Sequence, residues 1–272
     1  MTKNILLLDG YNLIYRARYS GMNKGEYSTI FNFFRGIRPL IEKFNPDEAY
    51  FVLEGVPRKR LELNEDYKGQ REYHNKDGFS EQRREILRIL KEHIPVTIVK
   101  HEDYECDDVI NFLATEKHKS DNVTIVSSDT DFIQSVSDSV LLYNPVRKKY
   151  IESTNYDYVM WKSLVGDKSD NIAGFKGIGD KRAQALLSSK DDLETFLSKD
   201  DNRKVFENNM FMIKFHDLEQ DKNKITYHKA KTNDSTWSTL KENFTSMGFN
   251  SIVLKDKTWN KYVKTFTNLE RN

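Results

Sequence analysis

The sequence predicts an α/β fold, in which helices flank a mainly parallel sheet and a helical region follows. Two observations predict it. Apolar runs of strand length recur up to about residue 153, and segments with helical apolar spacing separate them. After Ser153 the apolar residues have helical spacing only. We therefore expect an α/β core over 1–153 and a helical region over 154–272, which a chain of 272 residues is long enough to form.

The predicted elements follow in order along the chain. Each strand is a continuous apolar run, which is typical of strands buried on both faces of a sheet. The strands are predicted at 4–8, 49–53, 96–99, 123–126 and 140–143. The helices are predicted at 11–19, 31–41, 86–90, 104–117, 156–165 and 180–187. Residues 58–92 are basic, and because their first part has few apolar residues we expect it to be mobile or to project from the core.

The composition excludes several classes of protein. The chain has 43 Lys and Arg against 42 Asp and Glu, so its net charge gives no information about nucleic acid binding. Cys106 is the single cysteine, which excludes an intramolecular disulfide and a cysteine zinc site. No signal peptide and no apolar run of membrane-spanning length is present. We expect a cytoplasmic location and no membrane partner.

Carboxylates stand at the carboxyl ends of several predicted strands. Asp9, Glu54 and Asp129 each follow an apolar run, and parallel strands bring such ends to one edge of the sheet. Further acidic residues open the helix after another strand or follow later in the chain: Glu105, Asp107, Asp108, Asp131, Asp167 and Asp170. Each of these residues alone is typical of a helix cap or a turn. The sequence does not place Asp167 and Asp170 at the same edge.

Crowded carboxylates predict bound cations. Like charges a few Å apart raise one another's pKa, and a cation removes that cost. Oxygen ligands without Cys or His favour Mg²⁺ or Mn²⁺, and one octahedral Mg²⁺ keeps several waters. The number of carboxylates therefore predicts two ions. Two such ions about 4 Å apart are suited to in-line displacement at a phosphodiester.

Two other stretches are candidates for nucleic acid binding. Glycines and cations in 174–182 would contact a duplex backbone: Gly174, Lys176, Gly177, Gly179, Lys181 and Arg182. The alternative is an ordinary turn between helices. Basic and aromatic residues of 58–92 would contact a single strand: Tyr67, Lys68, Arg71, Arg83 and Arg84. The alternative is a solvated charged face, since acidic residues are interspersed there.

Taken together, these motifs resemble those of the structure-specific 5′ nucleases, which include flap endonucleases and the 5′–3′ exonuclease domain of bacterial DNA polymerase I. The motifs are Leu8-Asp9-Gly10, Tyr67-Lys68-Gly69-Gln70-Arg71, Tyr104-Glu105-Cys106-Asp107-Asp108, Ser128-Asp129-Thr130-Asp131, Gly166-Asp167-Lys168-Ser169-Asp170-Asn171 and Gly177-Ile178-Gly179. The resemblance extends from about Lys3 to about Leu187. Later stretches are similar to the ribonuclease H of T-even phages. We therefore expect a free-standing phage enzyme, without a polymerase domain, in the bacterial host cytoplasm.

The resemblance implies a PIN-like sheet, a helical arch at about 58–92 and a helix–hairpin–helix at about 166–187. It implies one metal site near Asp9, Glu54, Glu105, Asp107 and Asp129, and a second near Asp131, Asp167 and Asp170, with Asp129 shared. Lys68, Arg71 and Arg16 match residues near the scissile phosphate, and family hairpins often hold K⁺ through carbonyls. Glu54 and Ala173 depart from the Asp and Pro that are frequent in the family.

The predicted function is a Mg²⁺-dependent 5′ nuclease that removes 5′ flaps or RNA primers and leaves a 5′-phosphate and a 3′-OH. Ribonuclease H activity is compatible with this prediction, and the sequence does not decide between RNA and DNA 5′ ends. The alternatives are a non-catalytic protein that binds DNA junctions and a PIN-type endoribonuclease. The expected partner of this monomer is DNA with a single-strand/duplex junction. A replication clamp or single-strand-binding protein stays open as a protein partner.

Overall fold

A central sheet organises the molecule. The computed structural model describes residues 2–21, 25–69, 78–199 and 201–270. Across these residues the sheet has the strand order β6-β5-β4-β1-β2-β3-β9, and its strands are β1 Asn4–Asp9, β2 Glu48–Leu53, β3 Thr97–Lys100, β4 Asn122–Val126, β5 Val140–Asn144, β6 Lys149–Ile151 and β9 Thr226–Lys229. Strands β1 to β5 are parallel, whereas β6 and β9 are antiparallel to their neighbours. The predicted α/β class with a mainly parallel sheet is confirmed.

Helices cover both faces of the sheet and continue beyond it. They are α1 Gly10–Arg18, α2 Ser28–Phe44, α3 Arg58–Leu63, α4 Phe79–His93, α5 Cys106–Phe112, α6 Tyr158–Val165, α7 Asp180–Leu187, α8 Lys190–Leu197, α9 Asn202–Ile213, α10 Asp234–Ser246, α11 Asn250–Val253 and α12 Asp256–Thr267. A π-helical segment, Leu113–Lys117, continues α5, and a short hairpin of β7 Gly166–Asp167 and β8 Ile172–Ala173 follows α6.

The central strands β1, β2 and β4 are buried on both faces, as their apolar runs predict, whereas the edge strands β6 and β9 are mostly exposed. Side chains alternate along β1, so that Leu6 and Leu8 pack against α2 while Ile5 and Leu7 pack against α5. The two layers of side chains form separate apolar cores on opposite faces of one sheet. The strand ends therefore have fixed positions relative to the helices that follow them.

The chain order of the strands reverses between β1 and β4. From β1 the chain proceeds to β2 and β3 on one side, and β4 and β5 lie on the other side. In open α/β sheets, ligands bind in the crevice at such a switch point, beyond the carboxyl ends of the strands. Asp9 ends β1, and Asp129 follows β4, so both lie at this crevice.

The predicted division of the chain at residue 153 does not hold for its last part. Helices α6 to α9 have a small apolar core of their own, around Leu164 and Phe206. After them, β9 pairs with β3 at the sheet edge, and Trp259 on α12 belongs to the core that includes α2. The chain after Ile225 thus belongs with the sheet. No helix among the described residues is long and apolar enough to cross a membrane.

Candidate metal centre

Asp9 is held between two neighbouring strands. It is 6% exposed, and its Oδ1 accepts a hydrogen bond from the N–H of Asn12 at 3.1 Å, which caps α1. Its Oδ2 accepts a hydrogen bond from the hydroxyl of Ser127, just after β4, at 2.7 Å. The Asn12 amide in turn donates to Ser128 Oγ at 2.8 Å. These bonds fix the Asp9 carboxylate at the switch point.

Glu54 and the start of α5 bring more carboxylates to the same place. Glu54 follows β2, and its Oε2 accepts a hydrogen bond from the N–H of Cys106 at 3.1 Å. Glu105 is the N-cap of α5, and Asp107 lies in its first turn, where free N–H groups and the helix dipole favour negative charge. Carboxylates from a strand end and a helix start therefore meet at one edge.

The electrostatics of this first group of carboxylates favour a cation. Burial, together with the charge of Asp129, raises the pKa of Asp9 to about 6. Burial also raises the pKa of Glu54 to about 7. The pKa of Asp107 lies well above its ordinary value because of burial and the charges of Asp9, Glu54 and Asp129.

Lys162 lies within a second group of carboxylates. Its ammonium forms ion pairs with Asp131 and with Asp167, the latter at 2.6 Å. The Tyr158 hydroxyl donates to Asp131 Oδ1 at 3.0 Å, and the N–H of Ser169 donates to Asp167 Oδ1 at 2.7 Å. Burial opposes ionisation of Asp167, but hydrogen bonds from Lys162 and Ser169 outweigh it and lower the pKa of Asp167 to about 2.

Tyr67 and Lys68 connect the two groups. The Tyr67 hydroxyl lies 3.1 Å from Glu105 Oε2 and 3.3 Å from Asp170 Oδ2. Lys68 forms an ion pair with Glu105, and its Nζ lies 3.7 Å from Asp170 Oδ2. Its backbone has φ +55°, a conformation that costs a non-glycine residue about 1 kcal/mol or more and that clusters at functional sites.

One narrow cleft contains carboxylates of both groups. It is lined by Glu105, Asp107, Asp131, Lys162, Asp167 and Asp170. The structure thus answers the question that the sequence left open, because Asp167 and Asp170 do lie at this edge. Within 2–21, 25–69, 78–199 and 201–270, no three His, Cys, Asp or Glu side chains are arranged to hold a metal ion as they stand. The ammonium groups of Lys68 and Lys162 lie among them instead.

A divalent cation nevertheless fits this donor set. The available ligands are carboxylate oxygens, which Mg²⁺ and Mn²⁺ prefer. The raised pKa values of Asp9, Glu54 and Asp107 identify buried carboxylates whose ionised form is not fully compensated, although the charge of Lys68 lowers the pKa of Glu54 and Asp107. A cation at this edge would complete that compensation.

Arg60, which the sequence analysis did not select, is a buried hub next to the cleft. All five of its N–H donors have acceptors. Nη1 donates to Glu105 Oε2 at 2.6 Å and to Asp108 Oδ2 at 2.7 Å. Nη2 donates to Asp108 Oδ1 at 2.8 Å and to the Lys214 carbonyl at 3.0 Å, and Nε donates to the Met212 carbonyl at 2.8 Å. One side chain thus joins α3, α5 and the C-terminal end of α9 with the residue that follows it.

The structure contradicts the predicted metal-ligand role of Asp108. Its side chain is fully buried, and both oxygens are occupied by Arg60. They also accept hydrogen bonds from the N–H of Glu105 at 3.3 Å and the N–H of His216 at 2.8 Å. Asp108 therefore caps α5 and anchors the chain after α9.

The arch prediction is corrected in its first part. Arg60 and Tyr67 are buried, so the chain does not project from the core before residue 69. The positive charge of Arg60 can be buried because the buried carboxylates of Glu105 and Asp108 neutralise it. Residues 70–77, which include the predicted catalytic Arg71, lie outside the described residues.

The other predicted cations of the arch and α1 lie on separate elements. The Arg83 guanidinium lies over the Tyr11 ring at 5.4 Å, and Arg84 is exposed. Arg16 faces α2 across a small cavity and forms no ion pair with a described residue. The structure therefore does not bring Arg16 into contact with the carboxylates.

The glycine-rich hairpin contains one glycine, Gly174, whose structural reason the sequence did not reveal. A Cβ on Gly174 would lie 1.9 Å from the Val165 carbonyl oxygen and 2.7 Å from the Gly166 nitrogen. Gly174 is thus required by contact within the protein rather than by approach to a phosphate. Gly177 has φ +77°, as a tight turn before α7 requires. Exposed cations and glycines surround this turn, namely Lys176, Gly179, Lys181 and Arg182. A K⁺ on the hairpin carbonyls stays a prediction.

Comparison with known proteins gives the family. Residues 4–163 match the family described as the 5′-3′ exonuclease, N-terminal resolvase-like domain. A 5′-3′ exonuclease of Aquifex aeolicus is 32% identical over 236 residues, which cover 80% of this chain and 79% of that protein. This chain belongs to the 5′-3′ exonuclease family. The resemblance stated from the motifs is confirmed, and the protein is an enzyme of the nuclease class.

Members of the 5′-3′ exonuclease family occur both alone and within longer chains. The thermostable DNA polymerase I of Thermus thermophilus is 31% identical over 230 residues, which cover 78% of this chain but only 27% of that polymerase. The crystal structure of the bacteriophage T5 flap endonuclease with DNA and metal ions has a TM-score of 0.63. It covers 98% of this chain and all of the other at 18% identity, which shows a common fold.

Lys162 is a second site residue of this exonuclease that the sequence analysis missed. It lies on α6 among apolar residues such as Trp161 and Leu164, which gave a helix prediction without a role for the lysine. A usable signal was a lysine on a largely apolar helix, five residues before Asp167. Arg60 had no comparable signal, because it is one of many cations in 58–92.

The raised pKa of Glu54 predicts the pH dependence of the metal-free exonuclease. Between the ordinary glutamate value and about 7, the unfolded chain is ionised while the folded chain keeps the proton. The folded state therefore loses stability as pH rises through this window, by at most about 3 kcal/mol. Glu54→Gln should remove much of that loss, since Gln keeps an oxygen for the Cys106 N–H.

This expectation is checked by urea unfolding in EDTA at pH 5 and pH 8. Glu54→Gln should be more stable than the unchanged protein at pH 8 and close to it at pH 5. The exposed Glu152, replaced by Gln, serves as the control and should leave the pH dependence unchanged. The same pH slope in the Glu54→Gln variant and the unchanged protein would refute the assignment.

Proposed function

We propose that this exonuclease hydrolyses phosphodiester bonds at 5′ flaps, 5′ ends and RNA primers of duplex DNA, with two Mg²⁺ or Mn²⁺ ions, and leaves a 5′-phosphate and a 3′-OH. One observation carries the proposal. A single cleft contains carboxylates of β7 and of the turn between β7 and β8, together with carboxylates of α5 and of the segment after β4. Family membership supports the reaction class, and the carboxylates of the cleft support the use of divalent cations.

The carboxylates divide naturally between two cations. Those near the first position are Asp9, Glu54, Glu105, Asp107 and Asp129, and those near the second are Asp131, Asp167 and Asp170. When bound, two divalent cations activate the attacking water and neutralise charge on the attacking and leaving oxygens. Asp129 is suited to serve both positions, because its charge raises the pKa of Asp107 and also that of Asp131.

Two lysines contribute positive charge from the chain itself. Lys68 lies beside Glu105 and Asp170, and Lys162 lies beside Asp131 and Asp167. Their ammonium groups bracket the cleft and are suited to stabilise the extra negative charge that a phosphodiester gains in the transition state. Tyr67, through its hydroxyl, holds the carboxylates of the two groups in a fixed relation.

The helical unit α6 to α9 supports a role in duplex binding. The hairpin before α7 presents glycine backbone and the exposed cations Lys176, Lys181 and Arg182, which are the groups that bind a phosphate backbone without reading sequence. Strands β7 and β8 lie directly before this glycine-rich hairpin. A duplex bound to the hairpin would therefore lie next to Asp167 and Asp170, which line the cleft.

The decisive experiment is cleavage of a duplex carrying a labelled 5′ flap, with Mg²⁺ and with EDTA. We expect cleavage near the junction in Mg²⁺, products that end in a 5′-phosphate, and no cleavage in EDTA. Tight junction binding without cleavage would instead support the non-catalytic junction protein. Cleavage of single-stranded RNA in preference to the flap would support the PIN-type endoribonuclease.

A further inference from the structure

Lys162 is shared by two carboxylates of the cleft that come from separate parts of the chain. Its ammonium forms ion pairs with Asp131, which follows β4, and with Asp167 of β7, at 2.6 Å from Oδ2. The three side chains are between 11% and 16% exposed. One positive charge therefore lies between two of the carboxylates that the proposed function assigns to the second cation position.

Neutral donors hold the same carboxylates without the lysine. The Tyr158 hydroxyl, one turn before Lys162 on α6, donates to Asp131 Oδ1 at 3.0 Å. Ser169 donates to Asp167 Oδ1 through its N–H at 2.7 Å and its hydroxyl at 2.6 Å. Among the described residues, Lys162 is the partner of Asp167 Oδ2. The ammonium can thus leave while both carboxylates keep their orientation, and Asp167 Oδ2 is then open to another cation.

The cleft has too little room for the ammonium together with a hydrated cation. Its free volume is about 10 Å³, roughly what one water needs. An octahedral Mg²⁺ keeps several waters when carboxylates bind it. The positive charges of the ammonium and the cation would also repel one another across a few Å. Lys162 and a second cation therefore exclude one another at these carboxylate oxygens.

The first group of carboxylates differs in this respect. Among the described residues, four of its members form no ion pair with a lysine or an arginine: Asp9, Glu54, Asp107 and Asp129. Glu105 is the member that does, since it pairs with Arg60 and with Lys68. A cation that binds these four carboxylates consequently breaks no ion pair of theirs.

We propose that Lys162 competes with the second divalent cation for Asp131 and Asp167, so that the two cation positions fill at different concentrations. Two carboxylates and one ammonium leave a net negative charge, whereas a divalent cation neutralises both carboxylates. The exchange is therefore favoured by charge and opposed by the loss of two ion pairs in a buried setting. The released ammonium becomes available to the phosphodiester. This inference rests on the second cation position of the proposed function, and not on its substrate or products.

The test is Mn²⁺ binding to the full chain without nucleic acid, followed by the electron paramagnetic resonance signal of unbound Mn²⁺. The unchanged protein should bind one ion about tenfold or more tightly than a second. Lys162→Met keeps the length of the side chain but not its charge, and it should tighten the second affinity about tenfold. Lys162→Arg keeps the charge and should not tighten it. Lys168 is exposed and lies beside Asp167 in the chain, so Lys168→Met is the matched control and should change the second affinity by less than about threefold.

A second measurement uses the unchanged protein and decides the question if Lys162→Met does not fold. Acetylation of Lys162 by an N-hydroxysuccinimide ester, quantified by mass spectrometry, should be severalfold faster in saturating Mn²⁺ than in EDTA, because the amine has left the carboxylates. The exposed Lys119 should react equally fast in both.

Four results would overturn the proposal: equal acetylation of Lys162 in Mn²⁺ and EDTA, an unchanged second affinity in Lys162→Met, an equal gain in Lys168→Met, or a gain in Lys162→Arg. Flap cleavage in Mg²⁺ is measured separately. An active flap nuclease that shows any of these results would contradict this inference alone, and altered Mn²⁺ binding in a protein that cleaves no flap would contradict the proposed function alone.

Discussion

Asp129→Asn should abolish cleavage while junction binding is retained. Asp129 is the carboxylate whose charge acts on both groups, because it raises the pKa of Asp9, Asp107 and Asp131. Asn has the same shape and keeps an oxygen for the Asp131 N–H, which donates to Asp129 Oδ1 at 2.9 Å. The fold should therefore remain while the negative charge is lost.

We expect kcat on a 5′-flap duplex in Mg²⁺ to fall by about 10³-fold or more, which corresponds to about 4 kcal/mol of transition-state stabilisation. Flap binding, measured by anisotropy in EDTA, should change by less than about threefold, since charge in the cleft contributes little to holding the duplex. Asp138→Asn, in an exposed turn that follows soon after in the chain, is the control and should cleave normally. Full activity of Asp129→Asn would remove this residue from the site.

Arg60→Met should destabilise the fold more than any other exchange of a cation in 58–69. The substitution leaves the buried carboxylate of Asp108 without its partner and removes five hydrogen bonds that join three segments of the chain. Removing one member of a buried ion pair typically costs about 3–5 kcal/mol. That is a large part of the free energy of unfolding of an ordinary domain.

The measurement is urea unfolding, with Arg58→Met as the matched control. Arg58 lies two residues away and pairs with Asp103, but its side chain is 64% exposed, so its loss should cost less than about 1 kcal/mol. If Arg60→Met does not fold, Arg60→Lys gives the comparison, because lysine keeps the charge with fewer donors. Equal, small losses in the Arg60 and Arg58 variants would contradict the proposed hub.

The sequence by itself determined the parts of this protein that are encoded locally. Continuous apolar runs predicted the first five strands to within one residue at each end, because burial on both faces of a parallel sheet leaves no polar position. The positions of Asp9, Glu54 and Asp129 after such runs then predicted that these three carboxylates share one edge of the sheet. The helix predicted at 180–187 has those bounds in the structure.

Only the tertiary structure decided the roles that depend on distant partners. Arg60 and Asp108 are 48 residues apart, Arg60 and Met212 are 152 apart, and β9 joins the sheet from a polar stretch. Periodicity reports which residues avoid water, but a buried charge is stable only if the fold brings an opposite charge to it. For that reason the sequence assigned Asp108 to the metal, overlooked Lys162 and expected the chain around Arg60 to project, where the structure has a buried ion pair.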